Sequence, residues 1–524
     1  MGGKLADYFT NSIDIVVIGA GQNGLIAANY LKRAGFSVMV VERRLESGGG
    51  LTGEEPALNG FWHTTGNPFQ DVAAILPFLT DLELAQYNGR WIMPTVQSSL
   101  ALSDGRWLVI YSDLERTVAS IAAISPRDAQ RWRTIVELFQ ADLPAIRAHL
   151  TAKPGDPAHE HYDRTGYGKI AAAAAGKTPT EVLDEYFESD AVKALVLMHL
   201  AVPRGIACDY EGTGAIVPLA IGLAAENHLP AGGVHELAQV LWSACVRGDG
   251  DVWDSTSVTR ILVKDGRAVG VEVSGGRQIR ARAVISSIDL EATFLKLLDA
   301  AQVPATLAQR VRDFAADEYS LFAVHLALRE PPRFAHEDAG RAFRINLGVA
   351  SPAANHALWQ EIRAGALPQQ AGMTVFSTVI WDPSQAHKGM SNTTIWQLVP
   401  RHLAGGCSWA EVRDSYAALL IERLRNWAPN VTSDAILESV AHTPDLLVEK
   451  WPNLKPGLFG GRNAGSQALF ARPFSELSYR SSIPGLYLAN SSMAPGAGLP
   501  GLPGVIAARL VAEDLGSCVV VGTK

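Results

Sequence analysis

The 524-residue sequence predicts an α/β fold in which a Rossmann-type parallel unit opens the chain and is interleaved with a second domain of helices and antiparallel strands. Three observations carry this prediction. Ile13 to Ile18 is a β-branched run that stops at a glycine, the pattern of a strand buried in a parallel sheet. Leu25, Ala28 and Leu31 then recur at helical spacing until Gly35 supplies a stop. Phe36 to Val41 is a second apolar strand, and it ends on the acid Glu42.

Between the first strand and the helix stands Gly19-Ala20-Gly21-Gln22-Asn23-Gly24. Gly19 lets the chain turn off the strand, Gly21 removes a side chain where a pyrophosphate approaches the backbone, and Gly24 lets the helix pack close to the sheet. The free N–H groups and positive dipole end of the helix then bind the anion without a Lys or Arg. Glu42 lies at about the distance beyond the glycines at which such units set a carboxylate on a ribose. A glycine-rich turn in an ordinary α/β protein is the bland alternative, but strand, helix and acid together favour a bound dinucleotide.

Composition bounds the rest. The length calls for two or three interleaved domains. Charged residues at 19%, apolar residues at 48%, 48 Gly and 28 Pro describe a globular α/β chain. A net charge of -8 with no basic stripe argues against nucleic acid. Cys208, Cys245, Cys407 and Cys518 form no C-x-x-C pair, which removes a thiolate zinc site and a disulfide-reductase mechanism, leaves no metal to assign, and points to a reducing cytoplasm. Met1 to Ser12 is polar, and no apolar run approaches the roughly 20 residues that span a bilayer. Peripheral membrane contact stays open, as does the oligomeric state.

Directly after Glu42 come Arg43, Arg44 and a second glycine cluster, Gly48-Gly49-Gly50-Leu51-Thr52. Its backbone amides can gather on the same pyrophosphate, with Arg43 near the adenosine ribose. A simple nicotinamide enzyme has no use for this second cluster, so the cofactor is expected to be FAD. From Ile75 to Pro230 the pattern is mainly helical, with segments such as Leu114–Ile124, Arg127–Leu150 and Thr180–Leu200. Ser257–Val263, Ala268–Val273 and Ala283–Ser287 follow as a β-meander with Asp265-Gly266 and Gly275-Gly276 turns. Strands at Phe322–Leu328, Ala342–Leu347, Thr374–Trp381 and Thr393–Val399 suggest an antiparallel floor to a substrate chamber, and a helix is expected over Trp409–Trp427. At the C-terminus a strand ending in Leu488 delivers Asn490 and Ser491. Gly501, Leu502, Pro503 and Val505 then start a helix running through Leu515.

Glu42-Arg43-Arg44 followed by Gly48-Gly49, Trp381-Asp382-Pro383-Ser384-Gln385-Ala386, and Pro495-Gly496-Ala497-Gly498 resemble the phytoene desaturase-like (carotenoid dehydrogenase-like) oxidoreductases of the flavin amine oxidase superfamily. The resemblance touches both ends and the middle of the chain. It implies an FAD-binding domain made of residues 1–74, 231–300 and 451–524, a helical cap at 75–230 and an antiparallel substrate domain at 301–450. It also implies cofactor contacts at Gly19, Ala20, Gly21, Asn23, Gly24, Glu42, Arg43, Gly49, Gly50, Leu51, Thr52, at Val258 beside adenine, at Ser286, and at Asn490, Ser491, Gly501, Leu502, Pro503 and Val505. The loop Gly60 to Pro68, by the same resemblance, runs beside the flavin ring and makes His63 the candidate catalytic residue. A histidine packed and hydrogen-bonded in its loop is the alternative. The family's own histidines are absent: Ala494 stands in one place, and Gly460, in Phe459-Gly460-Gly461-Arg462, in the other.

The implied activity is FAD-dependent dehydrogenation of a lipophilic carotenoid- or isoprenoid-like molecule, or another polyene or cyclic substrate, with oxygen or a quinone as acceptor. A flavin amine oxidase, a flavin-dependent isomerase or cyclase without net redox, and a non-catalytic prenyl-binding escort share the frame. The usual aromatic cage of the amine oxidases is not evident in Ala489 to Pro495.

Overall fold

The computed structural model describes residues 13–66, 71–76, 78–153, 155–247, 250–369, 372–455, 457–458, 460–473, 477–496 and 498–522. Met1 to Ser12, Asn67 and Pro68 of the histidine loop, Phe459 and Ala497 lie outside these residues.

One seven-stranded sheet is assembled from three distant stretches. Its path runs Val258–Lys264, Arg267–Val273, Arg277–Ser286, Ile13–Ile18, Val38–Val41, Asp251–Trp253, and Leu486–Leu488 pairs with the strand Arg277–Ser286. That strand changes partners along its length: its first half is antiparallel to Arg267–Val273 as the end of the meander, and its second half is parallel to both Ile13–Ile18 and Leu486–Leu488. Ala283, Val284 and Ile285 are fully buried, as a strand covered on both faces requires. The helix Gln22–Arg33 follows the first strand, and the C-terminal helix Leu502–Asp514 packs along it.

The second seven-stranded sheet runs Ile436–His442, Tyr319–Leu328, Ser391–Pro400, Met373–Ser377, Arg344–Leu347, Val96–Ala101, Trp107–Tyr111. It is antiparallel except where Arg344–Leu347 pairs in parallel with Val96–Ala101. One face packs on the helix Trp409–Trp427: Phe322, Val324, Ile345, Val375, Ile395 and Val399 share a core with Trp409, Tyr416, Leu420 and Leu424. From the other face Tyr319, Leu321, Ala323, Phe376, Trp396 and Leu398 join the large core that also contains the first sheet.

Three expectations are corrected. The stretch expected to be helical contains the strands Val96–Ala101 and Trp107–Tyr111. The first of these hides behind Gln97, Ser98 and Ser99, which are buried because Asn227, His199 and Ala339 supply their hydrogen bonds from far along the chain. Arg127–Leu150 is two helices, Pro126–Ala141 and Leu143–Thr151. Thr180–Leu200 is also broken, because the buried Asp128 carboxylate accepts the Glu188 and Ser189 N–H groups at 2.9 and 2.8 Å and takes them out of any helix. The edge strand Ile436–His442, half-exposed and carrying Glu438 and Ser439, gave no apolar signal. Among the described residues no helix is long and apolar enough to cross a membrane.

Candidate active site

The two glycine turns lie against one another. Gly19, at φ +92°, turns the chain off the first strand, and the Ser287 hydroxyl holds that turn through the Ile18 and Gly19 carbonyls at 2.8 and 2.9 Å. A Cβ at Gly24 would strike the Gly19 carbonyl oxygen, so the helix can start this close to the strand only with glycine there. Gly21 bridges Gly48 of the second cluster, and the Gly48 N–H donates to the Ala20 carbonyl at 2.7 Å. Gly49, at φ +58°, comes so near that a Cβ on it would sit 2.9 Å from the Gly21 Cα. The helix Gln22–Arg33 has no side-chain cap and no acid in its first turn, which leaves its N–H groups for an anion.

Glu42 is buried at the end of its strand. Its carboxylate accepts the Ala20 and Arg44 N–H groups at 2.8 and 2.9 Å. Thr256 N–H donates to the Glu42 carbonyl and Ser255 N–H to that of Arg44, so Val258, two residues on, opens its strand next to this acid. Arg44, Glu46, Ser47, Gly49, Leu51, Thr52, Gly53, Trp62, His235 and Gln239 line a cavity of about 200 Å³ beside the second cluster, with Trp62 stacked on His235 at 4.6 Å between ring centroids.

At the far end, the C-terminal helix starts at Gly501, φ +95°, again without a side-chain cap. Leu502, Pro503 and Val505 are buried against the cofactor domain. The Asn23 Oδ1 accepts the Gly501 N–H at 2.6 Å, which ties the starts of the two helices together. Asn490 is buried, and while its Oδ1 accepts the Ser492 N–H, its Nδ2 finds no partner among the described residues. Two uncapped helix starts, a groove walled by glycines and an orphaned buried amide make a site that FAD fits.

The structure places the other expected contact residues as follows. Ser286 is fully buried, its hydroxyl bonded to Thr293 at 2.6 Å and its carbonyl to the Ala489 N–H, while the Ser287 hydroxyl holds the first glycine turn. Arg43 is exposed, and Arg44 is the arginine that lines the cavity. Asn23 and Ala20 brace the turn through the bonds just given, and Ser491 is exposed. Gly50 faces open space, and Thr52 closes its own loop through the Gly49 carbonyl at 2.6 Å. A side chain at Gly460 would run into the backbone of Ser491 and Ser492, so no histidine could stand there, while the Ala494 carbonyl accepts the Tyr479 hydroxyl.

His63 is the buried centre of a cluster that sequence alone did not reveal. It sits on a two-residue strand, His63–Thr64, paired with Gly53–Glu54, which leaves the second glycine cluster directly. Its Nδ1 lies 3.2 Å from Thr394 Oγ1, and the same oxygen lies 3.3 Å from His325 Nδ1. The His325 ring contacts those of His63 and His442 at 5.2 and 4.8 Å. Burial, and secondarily His442, pushes His63 down to about 3. Burial, with His63, His442 and Lys450 beside it, holds His325 well below its usual value. His63 is therefore neutral at pH 7. In register with Thr394 across the same sheet face are His325 and Phe376, with Trp396, Thr374 and Asn346 in the next row. Phe376 and Trp396 meet edge to face at 5.3 Å. Farther along that face Ser98 bonds His199 at 2.8 Å, and Arg204 is paired with Asp71 at 2.5 Å.

The buried histidines predict acid lability. An unfolded histidine titrates near 6.5, so below that pH the unfolded chain binds a proton that folded His63 refuses. Stability is unaffected well above 6.5 and is lost as the pH falls from there toward 3, by about 2 kcal/mol at pH 5 for such a ring. Thermal unfolding at pH 7.5 and 5 should show His63→Gln losing less than the parent; equal losses would refute the assignment.

Comparison with known proteins decides the family: residues 24–515 match the model described as flavin containing amine oxidoreductase. The chain belongs to this family. As a flavin-containing amine oxidoreductase it is an FAD-dependent oxidoreductase, and FAD is its cofactor. Among curated relatives it is 33% identical to a limonene dehydrogenase chain of Castellaniella defragrans, over 96% of this chain and 95% of that one. It is 25% identical to the lycopene-forming phytoene desaturase of Pseudescherichia vulneris, over 95% and 99%. An oxidoreductase structure from Methanosarcina mazei shares its fold, with a TM-score of 0.62 at 16% identity over 96% of this chain and all of that one.

Proposed function

We propose that this enzyme dehydrogenates a lipophilic, terpenoid-like small molecule, introducing a double bond, with oxygen or a quinone taking the electrons onward. One observation carries the reading. An aromatic and largely uncharged sheet face, with Phe376 and Trp396 at its centre, runs up to a buried neutral imidazole on the hairpin that leaves the second glycine cluster. Such a surface suits a hydrocarbon and keeps water from the reacting carbon. The limonene dehydrogenase and phytoene desaturase relatives support the same substrate class.

FAD, when bound, supplies the acceptor for a hydride. The chain does the rest. The glycine turns, the two helix starts and Glu42 hold and orient the cofactor; Asn490 offers a donor to it; Phe376 and Trp396 pack the substrate; and His63 Nε2, which makes no hydrogen bond among the described residues, takes the proton that leaves with the second C–H bond. Four free cysteines, two of them exposed, fit a reducing cytoplasm, where the lipophilic substrate is met at or near a membrane surface.

Incubation with limonene as probe and oxygen or a quinone should give a product two hydrogens poorer; recovery of an isomer of unchanged mass would favour an isomerase instead. NADH and NADPH should not reduce the enzyme rapidly at low concentration. Among the described residues one strand, glycine turn and helix unit suits a dinucleotide, and it is the one we assign to FAD. Rapid reduction by either nucleotide would overturn this.

A further inference from the structure

Thr394 sets one hydroxyl between two buried imidazoles, at 3.2 Å from His63 Nδ1 and 3.3 Å from His325 Nδ1. A hydroxyl has a single proton to give. When it donates to one ring and accepts from the other, the first ring is the Nε2–H tautomer and the second the Nδ1–H tautomer, with a bare Nε2. Neither Nε2 has a hydrogen-bond partner among the described residues. His325 sits on a central strand, and the neighbouring edge strand brings the partly exposed His442 against its ring. Lys450, from the helix Pro444–Lys450, is ion-paired to Glu54, which stands opposite His63 on the hairpin. Among the described residues this cluster gathers no group that could hold a metal ion. We propose that Thr394 and His325 form a proton relay that carries the proton taken up at His63 out to His442 and solvent. The relay rests on the dehydrogenation proposed above, with His63 as the base.

The protons and electrons balance as follows. One substrate C–H bond gives its electron pair and hydrogen to FAD as a hydride. The adjacent C–H bond breaks, its electron pair becomes the new π bond, and its proton binds His63 Nε2. The His63 Nδ1–H proton passes to Thr394 Oγ1 as the hydroxyl proton passes to His325 Nδ1. His325, now doubly protonated, releases its Nε2 proton through water to His442, whose ring packs edge to face on its own at 4.8 Å without a direct hydrogen bond. To reset, a proton moving inward along the same path restores His325 Nε2–H and His63 Nδ1–H, and the His63 Nε2 proton leaves to the oxygen or quinone that takes the two electrons.

The environment explains why an exit is needed. Burial makes both rings poor places to keep a proton at neutral pH, so a base at His63 must be emptied rather than left charged. Burial, and then Lys450, also hold His442 below its usual value, with Glu54 opposing them, so its partly exposed ring passes the proton on to solvent. Thr394 and His325 touch neither substrate nor cofactor in this scheme; they are positioning residues that act through His63.

Thr394→Val removes the hydroxyl on a β-branched frame that the strand accepts, and Thr394→Ser restores it. In the FAD-loaded protein with limonene as reducing probe, Thr394→Val should slow flavin reduction by about 10²-fold at unchanged FAD content, and Thr394→Ser should stay within about threefold of the parent. A second readout needs no substrate. In ¹⁵N-histidine spectra the parent and Thr394→Ser should show a buried neutral Nδ1–H ring that Thr394→Val lacks. If Thr394→Val does not fold, His325→Phe keeps the ring volume, removes both nitrogens and should show the same slowing. Parent-like reduction by Thr394→Val or His325→Phe, with His63→Ala slow, overturns the relay and leaves the base in place. Parent-like reduction by His63→Ala overturns the base and the relay together. Unchanged tautomers in Thr394→Val overturn the relay on geometry alone.

Discussion

A Gly21→Val protein should fold, be colourless and take up no FAD. The backbone at Gly21 is extended, at φ -71° and ψ 173°, which valine adopts without strain. The nearest heavy atom to a Cβ there is the Gly49 Cα, at 4.0 Å, so the first carbon is accommodated. The branched methyl groups then occupy the gap between the two glycine turns, in front of the uncapped helix start. That gap is where the pyrophosphate must approach the N–H groups. Gly24→Ala makes the useful contrast, because its Cβ collides with the Gly19 carbonyl oxygen and so damages the fold itself. Circular dichroism with the visible spectrum of the purified proteins separates the two. A yellow Gly21→Val protein with full flavin content would contradict the assignment of this groove.

Replacing His63 by alanine should slow flavin reduction by about 10²–10⁴-fold, the usual worth of a positioned base, while FAD content stays the same. His63 is 1% exposed, reaches no described partner through Nε2, and is held neutral at pH 7 by burial. The unpartnered Nε2 leaves a site for a proton, and burial, which disfavours the charged ring, drives that proton onward. A packing role alone predicts a small rate loss, or loss of stability and FAD together. Stopped-flow reduction at saturating substrate distinguishes these, and a rate within about threefold of the parent would remove His63 from the mechanism.

The cofactor end was legible because each part of it is local in sequence. The strand Ile13–Ile18, the helix after it and the acid Glu42 fall within thirty residues, and the helix Trp409–Trp427 occupies the span its pattern announced. What could not be read was whatever depends on distant partners. Val96–Ala101 reads as polar until Asn227, His199 and Ala339 are seen to satisfy Gln97, Ser98 and Ser99. Ser286 and Ser287 are adjacent and chemically identical, and only the strand's alternation decides that one bonds Thr293 inside while the other holds the glycine turn. His63 could be singled out from its loop, but His325 and Thr394 could not. They lie 262 and 331 residues away, and the pairing of two strands is what joins them around one hydroxyl.

The central claim is that a lipophilic molecule held near His63 and the Phe376–Trp396 sheet face delivers a hydride to FAD. Anaerobic mixing of the oxidised enzyme with a panel of terpenoid hydrocarbons, followed in the visible flavin band, tests it most directly. The account predicts bleaching by at least one hydrocarbon, with the matching desaturated product formed in proportion to the flavin reduced. An enzyme bleached only by primary amines, or one that converts a hydrocarbon while its flavin band stays unchanged, would contradict it.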